Sequence, residues 1–221
     1  LTTNDSDGIS GPCVAEFKQI NIRINRAAVI SAGSDLQLCE DSPSITLQGV
    51  QSGASTLVVW SGGSGVFSNS SSLQPVYSFS NPSEINTSLA LTITALDPDG
   101  AGPCQSVSDQ MILIINPLPG VVFTGLPPGS PSQMVENNPP ITLTGNNVGG
   151  VFTISPSTSV IGSTTVNVVD RATFDPSAVD LGSNFITYTF TNANGCTNSN
   201  TQEVFVNPVT DIDFGVQGAL V

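Results

Sequence analysis

The feature that most constrains this sequence is an internal repeat with a period of 91 residues. Asn25, Asn116 and Asn207 are each separated by 91 positions, and each follows an alternating or apolar stretch. A cysteine precedes each asparagine by eleven or twelve positions, and these are Cys13, Cys104 and Cys196. A period of this size fits one small domain, so the sequence predicts a tandem array of similar domains.

Three further markers recur in the same order. The pattern Ile-Thr-Leu-x-Gly occurs at 45–49 and 141–145, and Gly-Val-Phe occurs at 65–67 and 150–152. A turn sequence rich in Asp or Asn and ending in Gly precedes each of the three cysteines, at 5–8, 97–100 and 192–195. Because four markers keep their order, we interpret them as a true repeat.

The period predicts the domain plan. We expect residues 1–27 to be the last hairpin of a truncated upstream repeat and residues 28–117 to be a full repeat. Residues 118–208 are then a second, divergent repeat, and residues 209–221 are the start of the next repeat or a linker. The joints at 116–119 and 207–208 contain proline, which fixes φ, so we expect a semi-rigid string.

Strand patterns dominate within each repeat. Residues 89–95 and 185–190 alternate with a period of two, and Thr, Val and Ile are enriched in such runs. Two short stretches, 82–85 and 176–180, predict single helical turns. Six to eight short strands in about ninety residues indicate an all-β fold of tandem immunoglobulin-like antiparallel β-sandwich repeats.

The first repeat carries an extra strand between its two central markers, and this strand contains the single tryptophan, Trp60. Large aromatic side chains mostly serve burial, so we interpret Trp60 as a core anchor.

Composition excludes several function classes. The chain has no histidine, four Lys and Arg residues, 17 Asp and Glu residues and a formal net charge of −13. The absence of histidine removes the Ser-His-Asp and Cys-His mechanisms and any His-ligated zinc. The acidic balance argues against nucleic acid, no P-loop is present, and no apolar run is long enough to be inserted in a membrane. We therefore expect no enzyme activity.

The markers resemble the tandem repeats of giant surface adhesins of gliding Bacteroidetes, the SprB-like family. In the first full repeat the resemblance is carried by Cys39, Thr46–Gly49, Trp60–Phe67, Tyr77, Glu84-Ile85, Leu91–Thr94, Gly102–Cys104 and Asp109–Met111. In the second it is carried by Gly149–Phe152, Phe174–Pro176 and Thr187–Cys196.

The resemblance covers nearly the whole chain. It implies export by the type IX secretion system, an extracellular location at the cell surface, and a role in adhesion or gliding motility. It supplies no ligand and no catalytic residue.

The cysteines allow two interpretations. Cys39 and Cys104 are the natural pair within the first full repeat, and an exported chain would be oxidised. The alternative is no disulfide at all. In the second repeat Val135 stands where Cys39 stands in the first, so Cys196 has no local partner, and neither has Cys13.

Two acidic loops also allow two interpretations. Asp97 and Asp99 are spaced by one residue and followed by glycine, which resembles the opening of a calcium-binding loop. The alternative is a plain hairpin turn, which the uncharged counterpart at 192–195 favours. Calcium is the one cofactor that the sequence suggests.

These features favour an extracellular stalk or adhesive module whose partners are the neighbouring repeats, with surfaces or polysaccharides as further candidates. The first alternative is a glycan-binding module, with hydrogen-bonding groups displayed by Ser61, Gly62, Gly63 and Ser64. The second is a protomer of a surface filament, in which the hairpin at 1–27 or the strand at 209–221 pairs with a neighbouring chain.

Overall fold

The fold is described from a computed structural model of the chain. The described residues are 1–4, 7, 11–12, 16–22, 24, 26–53, 55, 57–79, 82–98, 104–156 and 170–210. They form sixteen β-strands and two single 3₁₀ turns, Pro82–Glu84 and Pro176–Ala178, at the two positions where the sequence predicts helical turns.

The described residues of the first repeat contain nine strands. They are β1 (Val29–Ser31), β2 (Leu36–Cys39), β3 (Ser44–Thr46), β4 (Val50–Ser52), β5 (Val58–Ser61), β6 (Val66–Phe67), β7 (Val76–Ser78), β8 (Ser88–Ala95) and β9 (Val107–Asn116). The described residues of the second repeat contain seven. They are β10 (Phe123–Thr124), β11 (Ser132–Val135), β12 (Ile141–Gly145), β13 (Val151–Ser155), β14 (Arg171–Phe174), β15 (Gly182–Thr191) and β16 (Thr197–Asn207).

The strand order is the same in the main sheet of both repeats. The first repeat has a four-stranded sheet of order β2-β9-β8-β5, and the second has one of order β11-β16-β15-β13. The remaining strands form sheets of order β3-β7-β6 and β1-β4 in the first repeat and β10-β12-β14 in the second. Residue burial alternates along β8, β14 and β15, which is the pattern of a sheet with one face in a core. The tandem immunoglobulin-like β-sandwich class is therefore confirmed.

One strand pair in each repeat is parallel, which the antiparallel expectation did not include. β2 runs parallel to β9 and places Cys39 opposite Asn116, while β11 runs parallel to β16 and places Val135 opposite Asn207. The backbone amide after each strand donates to the matching asparagine carbonyl, at 3.0 Å from Glu40 and 2.9 Å from Glu136. These registers agree with the alignment of Cys39 with Val135 in the sequence.

The cores consist of the inward residues of these strands. In the second repeat one cluster includes Phe123, Leu143, Phe174, Ile186, Tyr188, Val204 and Val206, all 3% exposed or less. In the first repeat Trp60 is 2% exposed, which confirms its interpretation as a buried anchor, and its indole Nε1 donates to the Leu73 carbonyl at 3.4 Å.

The glycine of each Gly-Val-Phe marker packs against a buried tyrosine. A Cβ at Gly65 would lie 2.7 Å from Cζ of Tyr77, and a Cβ at Gly150 would lie 2.4 Å from Cζ of Tyr188. The phenylalanine two positions later contacts the same ring, with centroids 4.9 Å apart for Phe67 and Tyr77 and 4.6 Å apart for Phe152 and Tyr188. The marker therefore recurs because a tyrosine ring needs this close approach.

The two markers nevertheless lie in different sheets. Val66–Phe67 forms β6 and pairs with β7, whereas Val151–Phe152 begins β13 and pairs with β15. The extra segment of the first repeat explains the difference, because its strand β5 pairs with β8 and occupies the sheet position that β13 holds in the second repeat.

Contact density divides the chain into two compact units. One comprises Leu1–Ser34, Ile45–Ser78 and Ala90–Ile112, and the other comprises Asp35–Ser44, Phe79–Leu89 and Leu113–Val221. The repeat boundaries at 28–117 and 118–208 stay a prediction.

The described part of residues 1–27 pairs in the antiparallel sense. Thr2 forms a bridge with Phe17, and the Thr3 amide donates to the Glu16 carbonyl at 3.1 Å. Phe17, Ile20, Ile22 and Ile24 are all more than 75% exposed. The predicted strand at 209–221 lies outside the described residues beyond position 210.

Candidate functional site

The predicted calcium loop is described in part. Asp97 is exposed and follows the end of β8, and Asp99 lies outside the described residues. Within the described part of the chain, no group of three or more His, Cys, Asp or Glu side chains is placed to hold a metal ion. The calcium site therefore stays a prediction.

The Ser61–Ser64 segment is an exposed turn at the end of β5. Gly62 and Gly63 have φ of +106° and +66°, a region that favours glycine, and a Cβ at Gly62 would lie 2.2 Å from the Ala90 carbonyl oxygen. The tyrosine and tryptophan nearest to this segment in the sequence, Trp60 and Tyr77, are both buried. The turn thus offers polar groups without an aromatic platform from these two rings, and its binding role stays a prediction.

The cysteine pairing differs from the prediction. Cys39 is bonded to Cys196, with an S–S distance of 2.03 Å and a Cα–Cα distance of 5.5 Å, and the predicted pair of Cys39 with Cys104 is wrong. The reason is the parallel register of β2 on β9. Cys39 lies opposite Asn116 at the last residue of β9, while Cys104 precedes the first residue of that strand.

The length of β9 makes the predicted bond unattainable. Its ten residues span about 30 Å, and a disulfide requires Cα atoms roughly 4.4–6.8 Å apart. A partner for Cys39 must therefore lie close to Asn116 in space, and Cys196, whose Sγ is 4.0 Å from the Asn116 carbonyl oxygen, meets that condition.

Cys196 is held in place by the turn between β15 and β16. The side-chain Oδ1 of Asn192 accepts hydrogen bonds from the backbone amides of Asn194 and Cys196, both at 3.0 Å. Gly195 has a φ of +81°, and its amide donates to the Asn192 carbonyl at 3.0 Å. Cys196 is fully buried, and its Sγ lies 4.0 Å from the Asn116 carbonyl oxygen. The Asn-Ala-Asn-Gly sequence therefore makes the predicted turn and also positions the sulfur.

Amide side chains of the second repeat hold the segment that follows β9. Asn192 Nδ2 donates to the Pro117 carbonyl at 3.4 Å, and Asn198 Nδ2 donates to the Pro119 carbonyl at 2.9 Å. Gly120 accepts from the Nδ2 atoms of Asn146 and Asn147 at 2.9 and 2.8 Å. These bonds hold the segment at several points, and the expected semi-rigid string stays a prediction.

A groove on the second repeat was not foreseen from the sequence. It has a volume of about 500 Å³ and is lined by Gly129, Ser130, Ser132, Phe185, Thr201, Gln202 and Glu203. Phe185 is 44% exposed, while Ile186 and Tyr188 of the same strand are fully buried. The alternation of β15 in the sequence indicates that Phe185 is exposed. If Tyr188 faces the core, Phe185, three positions earlier in the same strand, lies on the opposite, solvent-facing side.

No protein family and no curated protein matches the sequence. Among solved structures, titin domains Z1Z2 in complex with telethonin are 11% identical with a TM-score of 0.35, over 85% of this chain and 100% of that one.

Two further structures are chains of immunoglobulin domains. Sidekick-1 immunoglobulin domains 1–4 are 12% identical with a TM-score of 0.40, over 85% of this chain and 51% of that one. The N-terminal eight Ig domains of Down Syndrome Cell Adhesion Molecule are 12% identical with a TM-score of 0.48, over 82% of this chain and 24% of that one. Similarities at these identities and TM-scores carry no conclusion about the function of this chain.

Among the described residues, no helix has the length and apolar character needed to cross a bilayer.

Proposed function

We propose that this chain is an extracellular repeat segment of a long cell-surface adhesin, in which immunoglobulin-like sandwiches follow one another as a load-bearing stalk with adhesive capacity. The observation that carries this proposal is the Cys39–Cys196 bond, which joins the end of β2 to the turn before β16 across 157 residues of sequence. Disulfides persist in oxidising, extracytoplasmic environments, so the bond supports export.

The second support is the joint itself. Side-chain amides and the disulfide converge on the backbone between Asn116 and Gly120, so the segment between the two predicted repeats is fixed at several points. A stalk requires such joints because loose linkers shorten its reach by coiling. The net charge of −13 keeps a long array solvated.

The finer parts of the proposal rest on the resemblance to SprB-like adhesins. They are a role in gliding motility and export by the type IX secretion system. The domain boundaries at 28–117 and 118–208 rest instead on the period of 91 residues. We propose no enzymatic role, because the sequence lacks histidine and no pair of carboxylates stands out in it.

Single-molecule stretching tests the load-bearing role. If the chain is pulled from its two ends in oxidising buffer, the stretch between the two cysteines, which lie 157 positions apart, cannot extend. At about 3.5 Å per residue, a variant with Cys39→Ser and Cys196→Ser should unfold to a contour length about 55 nm greater.

The controls are the single variants and reduction. Cys39→Ser alone should lengthen the chain as much as the double variant does, and reductant should lengthen the wild-type chain at least as much. Equal contour lengths for the oxidised wild type and the double variant would show that the bond does not carry load.

Two observations keep the alternative functions in view. The exposed Phe185 favours a glycan-binding module. The exposed isoleucines of the N-terminal segment favour pairing with a neighbouring chain, which sedimentation analysis tests.

A further inference from the structure

The groove at Phe185 has the dimensions and the position of a ligand site. Its volume of about 500 Å³ lies within the range of roughly 300–1,000 Å³ that is typical of small-molecule sites. It lies where β15 and β16 pair, beside the loop that leads into β11, so regular strands supply most of its lining. Sites built on strands hold their side chains in place better than sites on loops.

Phe185 is the aromatic element of the groove. It pairs across the strands with Glu203, and Thr187 pairs with Thr201 on the same face. The Oγ1 atoms of these two threonines lie 2.8 Å apart, which fixes their hydroxyls beside the ring. A large aromatic side chain that is 44% exposed among threonines and a glutamate leaves apolar surface in water, where it can serve a ligand.

The floor of the groove is held by side chains that point inward. The buried Ser132 Oγ donates to the Pro127 carbonyl at 2.6 Å, and Gln202 Nε2 donates to the Phe123 carbonyl at 3.0 Å. The first bond spans the loop that contains Gly129 and Ser130, and Ser132 at the end of this loop pairs with Val204 of β16. The protein's own bonds thus hold the loop beside β16, which lowers the entropy cost of binding.

We propose that this groove binds a neutral pyranose unit of a polysaccharide. The negative face of the Phe185 ring attracts the partly positive C–H edges of a sugar. The Glu203 carboxylate and the Thr201 and Ser130 hydroxyls supply acceptors and donors for sugar hydroxyl groups. An acceptor-only carboxylate suits a ligand that consists mainly of hydroxyl donors.

Charge selects a neutral ligand over an anionic one. None of the lining residues is cationic, and Glu203 brings a negative charge to the groove. A uronic acid, sulfate or phosphate group would be repelled here, and the chain as a whole carries a net charge of −13. The proposal goes beyond the stalk role, since a stalk needs no ligand.

The test is a binding titration of the full 221-residue chain. The probes are soluble neutral oligosaccharides of glucose, N-acetylglucosamine and mannose, with alginate oligosaccharides as the anionic comparison. We expect saturable binding of at least one neutral probe with a Kd of about 1 mM or tighter, and no saturable binding of alginate.

Matched variants locate the site. Phe185→Ala should weaken binding about tenfold or more, Glu203→Gln should weaken it several-fold, and Phe185→Tyr should retain it because the ring remains. Val151→Ala is the control, since Val151 is also an exposed apolar residue of the four-stranded sheet but does not line the groove. If Phe185→Ala fails to fold, Glu203→Gln and Phe185→Tyr decide the matter.

Three results would overturn the proposal. They are no saturable binding of any neutral probe by the folded chain, binding that Glu203→Gln and Phe185→Ala leave unchanged, and tighter binding of alginate than of the neutral probes. None of these results bears on the stretching experiment, so the groove and the stalk can fail separately.

Discussion

At the residue scale, Tyr188 is the most informative side chain of the second repeat. Its ring is fully buried against Phe152, and its hydroxyl donates to Asp170 Oδ2 at 3.0 Å and to the Asn147 carbonyl. Burial raises the pKa of the Tyr188 hydroxyl to about 12, and the hydrogen bond to Asp170 adds to the rise. The neutral phenol is therefore part of the folded core.

This shift predicts a loss of stability in alkali. Because the hydroxyl has a higher pKa in the folded chain than in the unfolded chain, its neutral form stabilises the fold. This contribution is complete below about pH 10 and is lost as the pH rises toward 12. Tyr188→Phe should lower the free energy of unfolding at neutral pH by about 1 kcal/mol and flatten its decline between pH 10 and 12. Denaturation at a series of pH values measures both, and parallel curves for the two chains would contradict the prediction.

The glycine of the Gly-Val-Phe marker gives a second prediction. In Gly150→Ala the new Cβ would lie 2.4 Å from the Tyr188 ring, which is buried and has little room to move, so we expect a loss of about 1–3 kcal/mol in unfolding free energy. Gly120→Ala is the matched control, because a Cβ there has no neighbour within 4 Å. Equal stability of the two variants by chemical denaturation would show that the ring tolerates the methyl group.

At the scale of elements, alternation and turn chemistry were readable in the sequence. Residues 89–95 and 185–190 form strands, the two proline-started segments form 3₁₀ turns, and the Asn192 turn forms as expected. The disulfide was not readable, because it depends on the parallel pairing of β2 with β9, which joins residues more than seventy positions apart. The groove could be predicted only in part. The alternation along β15 places Phe185 on the solvent-facing side, but the sequence does not show that Gly129 and Ser130 lie beside it.

The segment after β1 depends on a carboxylate from β9. Asp109 Oδ2 accepts a hydrogen bond from the Ala32 amide at 2.8 Å, and this bond, with that of the Gln110 amide, holds the pKa of Asp109 below its usual 3.8. A carboxyl group whose pKa is lower in the folded chain stabilises the fold at any pH above its unfolded pKa. This stabilisation is lost as the pH falls through the folded pKa. We expect Asp109→Asn to lower the Tm at pH 7 and to match the wild type below pH 3. A Tm difference that persists in acid would instead indicate a packing effect.

At the scale of the whole molecule, three isoleucines stand out. Ile20, Ile22 and Ile24 are 76%, 83% and 90% exposed. The residues 91 positions later, Met111, Leu113 and Ile115, are 1% exposed or fully buried. The same pattern that forms a core in the repeat therefore forms an apolar stripe on the N-terminal segment, and such stripes promote association.

Sedimentation velocity over a concentration series tests this stripe. Replacing all three isoleucines with threonine should raise the concentration above which the chain associates, and it should leave the Tm unchanged. The control replaces Leu57 and Leu181, which are 64% and 53% exposed as isolated positions. If the control reduces association as much as the isoleucine variant does, the stripe has no special role.

The bond between Cys39 and Cys196 also changes what a protease can do to this chain. A cut at any peptide bond between these two residues breaks the backbone but leaves both fragments joined through sulfur. The 157 positions that separate the cysteines make up most of the chain, so most single cuts would leave it in one piece. A nicked molecule would then keep both of its ends connected. Further cuts between the two cysteines would not separate these ends, whereas reduction or a cut outside that segment would.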